Sequence, residues 1–348
     1  MKKQKILIGM SGGVDSSVTA KILKEQDNEL VGITLWLSGE KEHFNEKAEK
    51  AAGICNTLGI RHMVLDMRKS FSSNVVDYFI HSYQKGMTPN PCVYCNMHIK
   101  FGSLLEWALD NGFDKVATGH YAGILYDELK NRYLLHKAID NKKDQTYFLY
   151  GLTQFQLSKI VMPLGEYYKD DIKKLAVDLG YETEQYKESQ EICFIPDGNY
   201  RDYINMKTGN IPDPGWFIDI HGNKIKQHQG IISYTIGQRK GLGLSLGYPA
   251  YVIDVNVKNN TVTVGREENL YKDHMYVTDF NNIKYDCLND GTYNVKIRHT
   301  KKEAQAFVQM EGDRVYVKFA EPQKAVTAGQ SAVIYEDDIV VGGGIIVY

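Results

Sequence analysis

The feature that most constrains the fold is the alternation of strand-like and helical segments through the first third of the chain. Short apolar runs are typical of buried parallel strands, and they lie at residues 5–10, 29–35, 62–66 and 115–118. Amphipathic spacing predicts helices at residues 15–25, 44–58, 71–85, 99–111 and, further on, 169–179. We therefore predict an α/β fold with a Rossmann-like parallel sheet, covered by helices and binding ligands at the carboxyl ends of its strands.

The sequence changes character after about Tyr203. Residues 207–215 are rich in turn formers and mark a boundary. Beyond it, short strands joined by turns are typical of a small barrel or sandwich, and they are predicted at residues 251–256, 261–265, 293–298, 304–310, 314–319, 331–335 and 339–347. We predict three domains: residues 1–205 with the parallel sheet, a small central linker domain at 206–272, and a C-terminal β-barrel at 273–348.

The composition excludes several classes of protein. With 43% hydrophobic residues, 24% charged residues and a net charge of −2, the chain is globular rather than disordered. No apolar run approaches the roughly 18 residues of a membrane helix, and Asp15 soon interrupts the apolar start, so we expect a cytoplasmic protein with no membrane partner. Net charge cannot hold a nucleic acid here, so local basic patches would be needed, and candidates lie at residues 130–143, 239–240 and 298–302. Any one of these runs is more simply a solvated surface, whereas three together favour contact with an RNA backbone.

A glycine- and serine-rich string, Ser11-Gly12-Gly13-Val14-Asp15-Ser16-Ser17, joins the first strand to the first helix. Backbone amides and a helix N-terminus at such a turn bind anions, and Asp15 is a candidate ligand for Mg²⁺. The string is neither a Walker A loop nor a dinucleotide fingerprint. The alternative is a tight turn with a serine cap, but the complete string favours a phosphate site.

Three of the five cysteines form a second candidate site. Cys92 and Cys95 form a Cys-x-x-Cys pair on a loop with two prolines, and Cys193 is a third thiol. They are either inert buried cysteines, or a persulfide carrier with a resolving thiol, or ligands of an iron–sulfur cluster that leaves one iron open. Cys55 and Cys287 lie in helix-like and strand-like segments and are interpreted as core or incidental residues.

The string at residues 11–16 resembles the pyrophosphate loop of the ATP pyrophosphatase (PP-loop) group. Further motifs resemble those of one family in that group, the tRNA-specific 2-thiouridylases of the MnmA type. They lie in order along nearly the whole chain at residues 119–122, 143–149, 163–165, 189–194 and 235–243.

The resemblance implies ATP- and Mg²⁺-dependent 2-thiolation of the wobble uridine of tRNA, with adenylation and thiolation in the first domain and tRNA contact by the barrel. It assigns ATP binding to Gly9, Met10, Ser11, Gly12, Gly13, Val14, Asp15, Ser16, Leu35 and Gly119. It assigns catalysis to Cys95 as nucleophile, Cys193 as persulfide carrier and Asp15, with a disulfide between the two cysteines afterwards. It assigns contact with the target base to Asn90, Pro91 and Cys92, and other tRNA contacts to His120, Lys143, Asp144, Gln145, Arg298, His299 and Gln330. It implies a persulfide donor as partner, either a cysteine desulfurase or a sulfur-relay protein.

Two positions depart from the family pattern, in which many members have Asp at position 92 and Met at position 35. Leu35 is a volume-conserving change. Cys92 is more informative, because it makes Cys92, Cys95 and Cys193 a possible ligand set for a [4Fe-4S] cluster. Two other hypotheses remain open: a PP-loop amidoligase acting on a small molecule, and a non-enzymatic RNA-binding or sulfur-carrier protein.

Overall fold

A five-stranded parallel sheet forms the N-terminal part of the structure, a computed structural model that describes residues 3–181, 192–195, 198–210 and 212–348. Its strands are β1 (Lys5–Gly9), β2 (Glu29–Trp36), β3 (Arg61–Asp66), β4 (Lys115–Ala117) and β7 (Ile160–Val161), with β5 (Ala122–Asp127) and β6 (Arg132–Lys137) forming a hairpin between the last two. The order is β3-β2-β1-β4-β7 and all neighbours are parallel. The predicted Rossmann-like sheet is confirmed.

Helices cover both faces of this sheet, so alternate residues of β1 enter different hydrophobic cores. Leu7 packs in a core with Phe79, whereas Ile6 and Ile8 pack in a core with Cys55. The helices are α1 (Val14–Glu25), α2 (Lys41–Thr57), α3 (Arg68–Phe71, π-helical Ser72–Val76, then Asp77–Gln84), α4 (Pro91–Tyr94, π-helical Cys95–Ser103, then Leu104–Asp110), α5 (Gln154–Ser158), α6 (Lys169–Val177) and α7 (Tyr200–Thr208). Short 3₁₀ turns lie at Thr146–Phe148, Pro163–Glu166, Ile231–Ser233 and Glu267–Leu270.

Two antiparallel-rich sheets make up the remainder. The smaller one has the order β10-β11-β8-β9 and consists of β8 (Gly215–Ile218), β9 (Lys224–His228), β10 (Tyr251–Asn256) and β11 (Thr261–Gly265). The larger contains β12 (Tyr271–Asn282), β13 (Gly291–Lys296), β14 (Ala304–Glu311), β15 (Arg314–Lys324), β16 (Ser331–Glu336) and β17 (Ile339–Val347). Pairing of β12 with both β15 and β17 closes these six strands into the predicted C-terminal barrel.

Several details differ from the sequence-based expectations. The β5–β6 hairpin, which no pattern predicted, joins the barrel through β17 at Ile339 and His136. Helix α7 crosses the boundary predicted between residues 205 and 206, because the turn formers begin in its last turn and Gly209, with φ of +67°, ends it. Strand β12 likewise crosses the boundary predicted at residues 272–273. Cys287 was expected in a strand, which is wrong, since it lies exposed between β12 and β13. Within the described ranges, no helix is long and apolar enough to cross a membrane.

Candidate active site

The loop between β1 and α1 is braced by its own side chains and backbone. Gly12 has φ of +75°, and a Cβ there would lie 3.1 Å from the carbonyl oxygen of Lys47, so this position requires glycine. Ser16 Oγ accepts from the amide of Ser11 at 3.2 Å and donates to the carbonyl of Gly13 at 2.9 Å. These bonds hold a helix N-terminus beyond the carboxyl end of a parallel strand, which is a geometry suited to a phosphate.

The ends of two neighbouring strands close around this loop. A Cβ on Gly119, just after β4, would lie 2.9 Å from the carbonyl carbon of Asp15, so glycine permits the close approach. On the other side, Thr34 Oγ1 in β2 donates to the carbonyl of Met10 at 2.8 Å, and Leu35 follows it. The predicted ATP-binding residues therefore lie together at the carboxyl ends of β1, β2 and β4.

Asp15, the predicted magnesium ligand, is bound by two side chains from outside the loop. Its Oδ1 accepts from Lys169 Nζ at 2.6 Å and from the Tyr121 hydroxyl at 2.8 Å. The Lys169 side chain is only 11% exposed. Lys169 is the first residue of α6, and the macrodipole of a helix disfavours a cation at this end. Since Mg²⁺ is usually held by one or two carboxylates together with substrate phosphates, Asp15 fits an ion that arrives with phosphate oxygens. Sequence analysis missed Lys169, although a lysine at a helix start was a usable signal.

The three candidate cysteines lie around one end of α4. Cys92 and Cys193 are exposed, whereas Cys95, at the start of the π-helical stretch, is buried. Phe194 anchors the neighbouring Cys193, because its ring packs edge-on against that of Phe79 with centroids 5.4 Å apart, in the core that also contains Cys95. Residues 189–191 of the motif that precedes Cys193 lie outside the described residues.

Desolvation by the surrounding protein raises the pKa of all three thiols, including those of Cys92 and Cys193, which still have solvent-accessible surface, and it raises the pKa of Cys95 to about 11. The Lys100 ammonium lowers the pKa of each thiol, and the Cys193 and Cys92 charges raise that of Cys95 further. The sulfur atoms are therefore within electrostatic reach of one another and of Lys100. At neutral pH the thiols are protonated in this state, and since the thiolate is the nucleophile, reaction requires activation.

Lys100 connects the cysteines with the end of β4. Its Nζ donates to His120 Nε2 at 3.5 Å, and His120 Nδ1 lies 2.8 Å from Thr118 Oγ1. Burial, and then the charge of Lys100, hold the pKa of His120 well below its usual value, so the ring is neutral and Nδ1 carries the proton. Lys100 lies five residues after Cys95, and the i→i+5 turn of a π-helix keeps such residues near one another. Sequence analysis missed Lys100, because in an α-helix two residues five positions apart lie on different faces.

The cysteines do not form a metal-ligand set in this arrangement. Within residues 3–181, 192–195, 198–210 and 212–348, no three His, Cys, Asp or Glu side chains lie close enough to hold a metal ion. Cys92, Cys95 and Cys193 are separate free thiols, whereas a cluster requires thiolates that converge on one centre. The predicted disulfide belongs to a later state and stays a prediction. Cys55 is buried in α2, as expected of a core residue.

The barrel holds the loop that leads to α4. Gln330 Nε2 donates to the carbonyls of Thr88 at 3.0 Å and Pro89 at 3.3 Å. Asn90 follows, and Pro91 is the first residue of α4, where proline is favoured because its missing N–H would have no helical partner. Gln330, predicted to contact tRNA, thus also fixes the position of the predicted base-contacting residues.

In the turn that carries Lys143, Asp144 and Gln145, the side chains of Asp144 and Gln145 form hydrogen bonds within the protein. Asp144 is 5% exposed and its Oδ2 accepts from the Thr146 hydroxyl at 2.7 Å. Gln145 Oε1 accepts from a backbone amide at 2.9 Å. His299 of the barrel lies 3.3 Å, through Nε2, from the carbonyl of Asp144. The Asp144 carboxylate therefore positions this turn, which joins the sheet to the barrel.

The basic run at residues 130–143 carries less free charge than its composition indicates. Ion pairs with other described residues join Lys130 to Asp127 (2.7 Å), Arg132 to Asp286, and Lys137 to Glu303 (2.8 Å). In the C-terminal run, Arg298 Nη2 donates to Thr327 Oγ1 at 2.6 Å. Counting basic residues in the sequence overstated the free positive charge of the first run, because the acidic partners of Arg132 and Lys137 are distant in sequence.

Comparison with known proteins gives matches along almost the whole chain. The model of the tRNA methyl transferase HUP domain matches residues 4–197, that of the tRNA methyl transferase PRC-barrel domain residues 201–266, and that of the aminomethyltransferase beta-barrel domain residues 272–346. Among solved structures, a predicted subunit of tRNA methyltransferase from Methanocaldococcus jannaschii DSM is 16% identical, covers 60% of this chain and 89% of its own, and has a TM-score of 0.34, too low to support an argument.

Curated relatives cover nearly the full length. The tRNA-specific 2-thiouridylase MnmA of Clostridium perfringens is 47% identical over 99% of both chains. The protein of the same name from Acetivibrio thermocellus is 45% identical over 99% of this chain and 100% of its own. MnmA 2 of Thermoanaerobacter sp. is 46% identical over 98% of this chain and 97% of its own. The resemblance drawn from the sequence motifs is confirmed, and the chain belongs to the MnmA family of tRNA-specific 2-thiouridylases.

Proposed function

We propose that the chain uses ATP to thiolate C2 of the wobble uridine of tRNA, releasing AMP and pyrophosphate. The observation that carries this proposal is the continuity of one site. Gly119 packs against the phosphate loop, the adjoining His120 contacts Lys100, and Lys100 acts on all three candidate thiols. An ATP-activated carbonyl and a sulfur nucleophile would thus meet at one edge of the sheet. The names of the curated relatives support the same substrate and product.

The proposed chemistry has two stages. The C2 oxygen of uracil attacks the α-phosphorus of ATP and pyrophosphate leaves, while the phosphate-loop amides stabilise its charge. The terminal sulfur of a persulfide on Cys193 then attacks C2, and AMP leaves with the former C2 oxygen. The Cys95 thiolate attacks Sγ of Cys193, which forms a disulfide and leaves one sulfur on C2. An external thiol reductant restores both thiols, and a cysteine desulfurase or sulfur-relay protein reloads Cys193.

The protein's own side chains have defined tasks in this scheme. Lys100 lowers the pKa of the attacking thiols, opposing the effect of burial. Asp15 would hold Mg²⁺, which supplies charge neutralisation on the phosphates. The target uridine must leave its stack to reach C2, and exposed Cys92, with Asn90 and Pro91, would line its path.

Thiolation of an unmodified tRNA transcript tests the proposal. With ATP and a persulfide donor, nucleoside mass spectrometry should find one 2-thiouridine at the wobble position per AMP released. Cys95→Ser and Cys193→Ser should abolish thiolation, whereas Cys287→Ser, an exposed cysteine outside the site, should retain it. ATP cleavage that depends on a small carboxylate or amide acceptor, and not on tRNA, would favour the alternative of an amidoligase.

A further inference from the structure

A cleft of about 550 Å³ lies where α7, the barrel and the central segment between α7 and β12 meet. Arg201 lines it from α7, Ser233 and Gln238 from the central segment, and Arg298 from the barrel. Among the described residues of its lining, two carry a positive charge and none carries a negative charge. This volume and charge suit a small anionic group rather than an apolar ligand.

Three buried polar atoms of this lining have no hydrogen-bond partner within the described part of the chain: Ser233 Oγ, Arg201 Nε and Arg298 Nε. Ser233 is 2% exposed, so bulk solvent does not reach its hydroxyl. Buried polar groups are nearly always bonded, and an exception needs an explanation such as a ligand. A group with several acceptor oxygens would satisfy donors of this kind.

The two guanidinium groups differ in how firmly they are held. Arg298 Nη2 donates to Thr327 Oγ1 at 2.6 Å and to the carbonyl of Ile236 at 3.3 Å, which fixes its plane. Arg201 reaches Gln229 Oε1 only at 3.5 Å. Arg201 is the second residue of α7, where the helix macrodipole adds to its positive potential. Guanidinium groups bind phosphate oxygens in pairs, so this arrangement suits a phosphate.

The cleft lies beside the sulfur site. Helix α7 follows Cys193 closely in the chain, and its Tyr203 ring packs on Phe194 with centroids 5.4 Å apart. We propose that the cleft binds a phosphodiester group of the tRNA strand near the target uridine, with Arg201 and Ser233 as ligands beside Arg298. This rests on the proposed function, because it takes tRNA to be the substrate.

Arg201→Gln tests the proposal, with Lys207→Gln as the matched control because Lys207 is exposed on the same helix and outside the cleft. Filter binding of tRNA over a range of salt concentrations gives the affinity and its salt dependence. Arg201→Gln should weaken binding about tenfold and reduce the slope of log K against log salt by about 1. Ser233→Ala should leave the melting temperature unchanged and still weaken tRNA binding.

Equal affinities and slopes for Arg201→Gln and Lys207→Gln would overturn the proposal. So would loss of inorganic phosphate binding by Arg201→Gln with unchanged tRNA binding, because the cleft would then serve free phosphate. Thiolation measured in parallel separates the two proposals. If Arg201→Gln weakens tRNA binding but the wild-type protein does not thiolate tRNA, the result would support the cleft and contradict the proposed function.

Discussion

Replacing Gln330 by alanine should loosen the loop that leads to the cysteines. Its side chain bonds two carbonyls of that loop, at Thr88 and Pro89, with the second bond long at 3.3 Å. A neutral hydrogen bond contributes about 0.5–1.5 kcal/mol, so we expect the variant to lose about 1.5 kcal/mol of loop docking. The bond from the Thr88 amide to the carbonyl of Ala328, at 2.9 Å, remains. Since about 1.4 kcal/mol corresponds to a factor of ten, the loop should open about tenfold more often.

Alkylation of Cys95 reports this opening without tRNA, because Cys95 is buried and lies just beyond the loop. Peptide mass spectrometry after timed exposure to iodoacetamide should show about tenfold faster modification of Cys95 in Gln330→Ala. Cys55, buried in α2, is the internal control and should react at its wild-type rate. An unchanged alkylation rate at Cys95 would refute the role of Gln330 in holding the loop. An equal increase at Cys55 would indicate global destabilisation instead.

Three further predictions follow from the site. Lys169→Met should weaken ATP binding by about tenfold or more in equilibrium dialysis, because it removes the partly buried cation beside the phosphate loop. The control Lys174→Met, on the exposed face of the same helix, should not weaken it. Equal ATP affinities of the two variants would contradict the role of Lys169. Lys100→Met should raise the pKa of Cys95 above about 11, because the cation favours the thiolate, so the alkylation–pH curve should move to higher pH; a shift to lower pH would contradict the assignment. Gly119→Ala should impair ATP binding, because its Cβ would lie 2.9 Å from the backbone of the phosphate loop, and calorimetry showing wild-type affinity would refute this packing argument.

Local sequence patterns predicted the parallel sheet well because its elements are locally encoded. The burial pattern of β1 and the helical spacing after Asp15 each lie within a dozen residues. The phosphate loop was found for the same reason, since its glycines and serines act on backbone that is adjacent in sequence. Five of the six barrel strands were likewise found from alternation and turns, whereas β12, which closes the barrel by pairing with β15 and β17, was not predicted.

Contacts between distant segments were not predictable in the same way. The β5–β6 hairpin pairs with a strand about 200 residues later, through His136 and Ile339. A lysine at a helix start marks Lys169 as unusual, but the sequence near it does not identify its partner Asp15, which lies 154 residues away. Lys100 was missed for a different reason, because π-helical geometry is not visible in an α-helical periodicity.

The central claim is that sulfur passes to tRNA through Cys193 and Cys95 at an ATP site. The most direct test is a single turnover of anoxic, metal-free protein loaded with persulfide, with ATP and tRNA added and no other sulfur source. The account predicts one 2-thiouridine per persulfide and a disulfide between Cys193 and Cys95 in the same protein. Thiolation that requires iron and acid-labile sulfide, disappears in Cys92→Ala, and leaves both cysteines as thiols would contradict it.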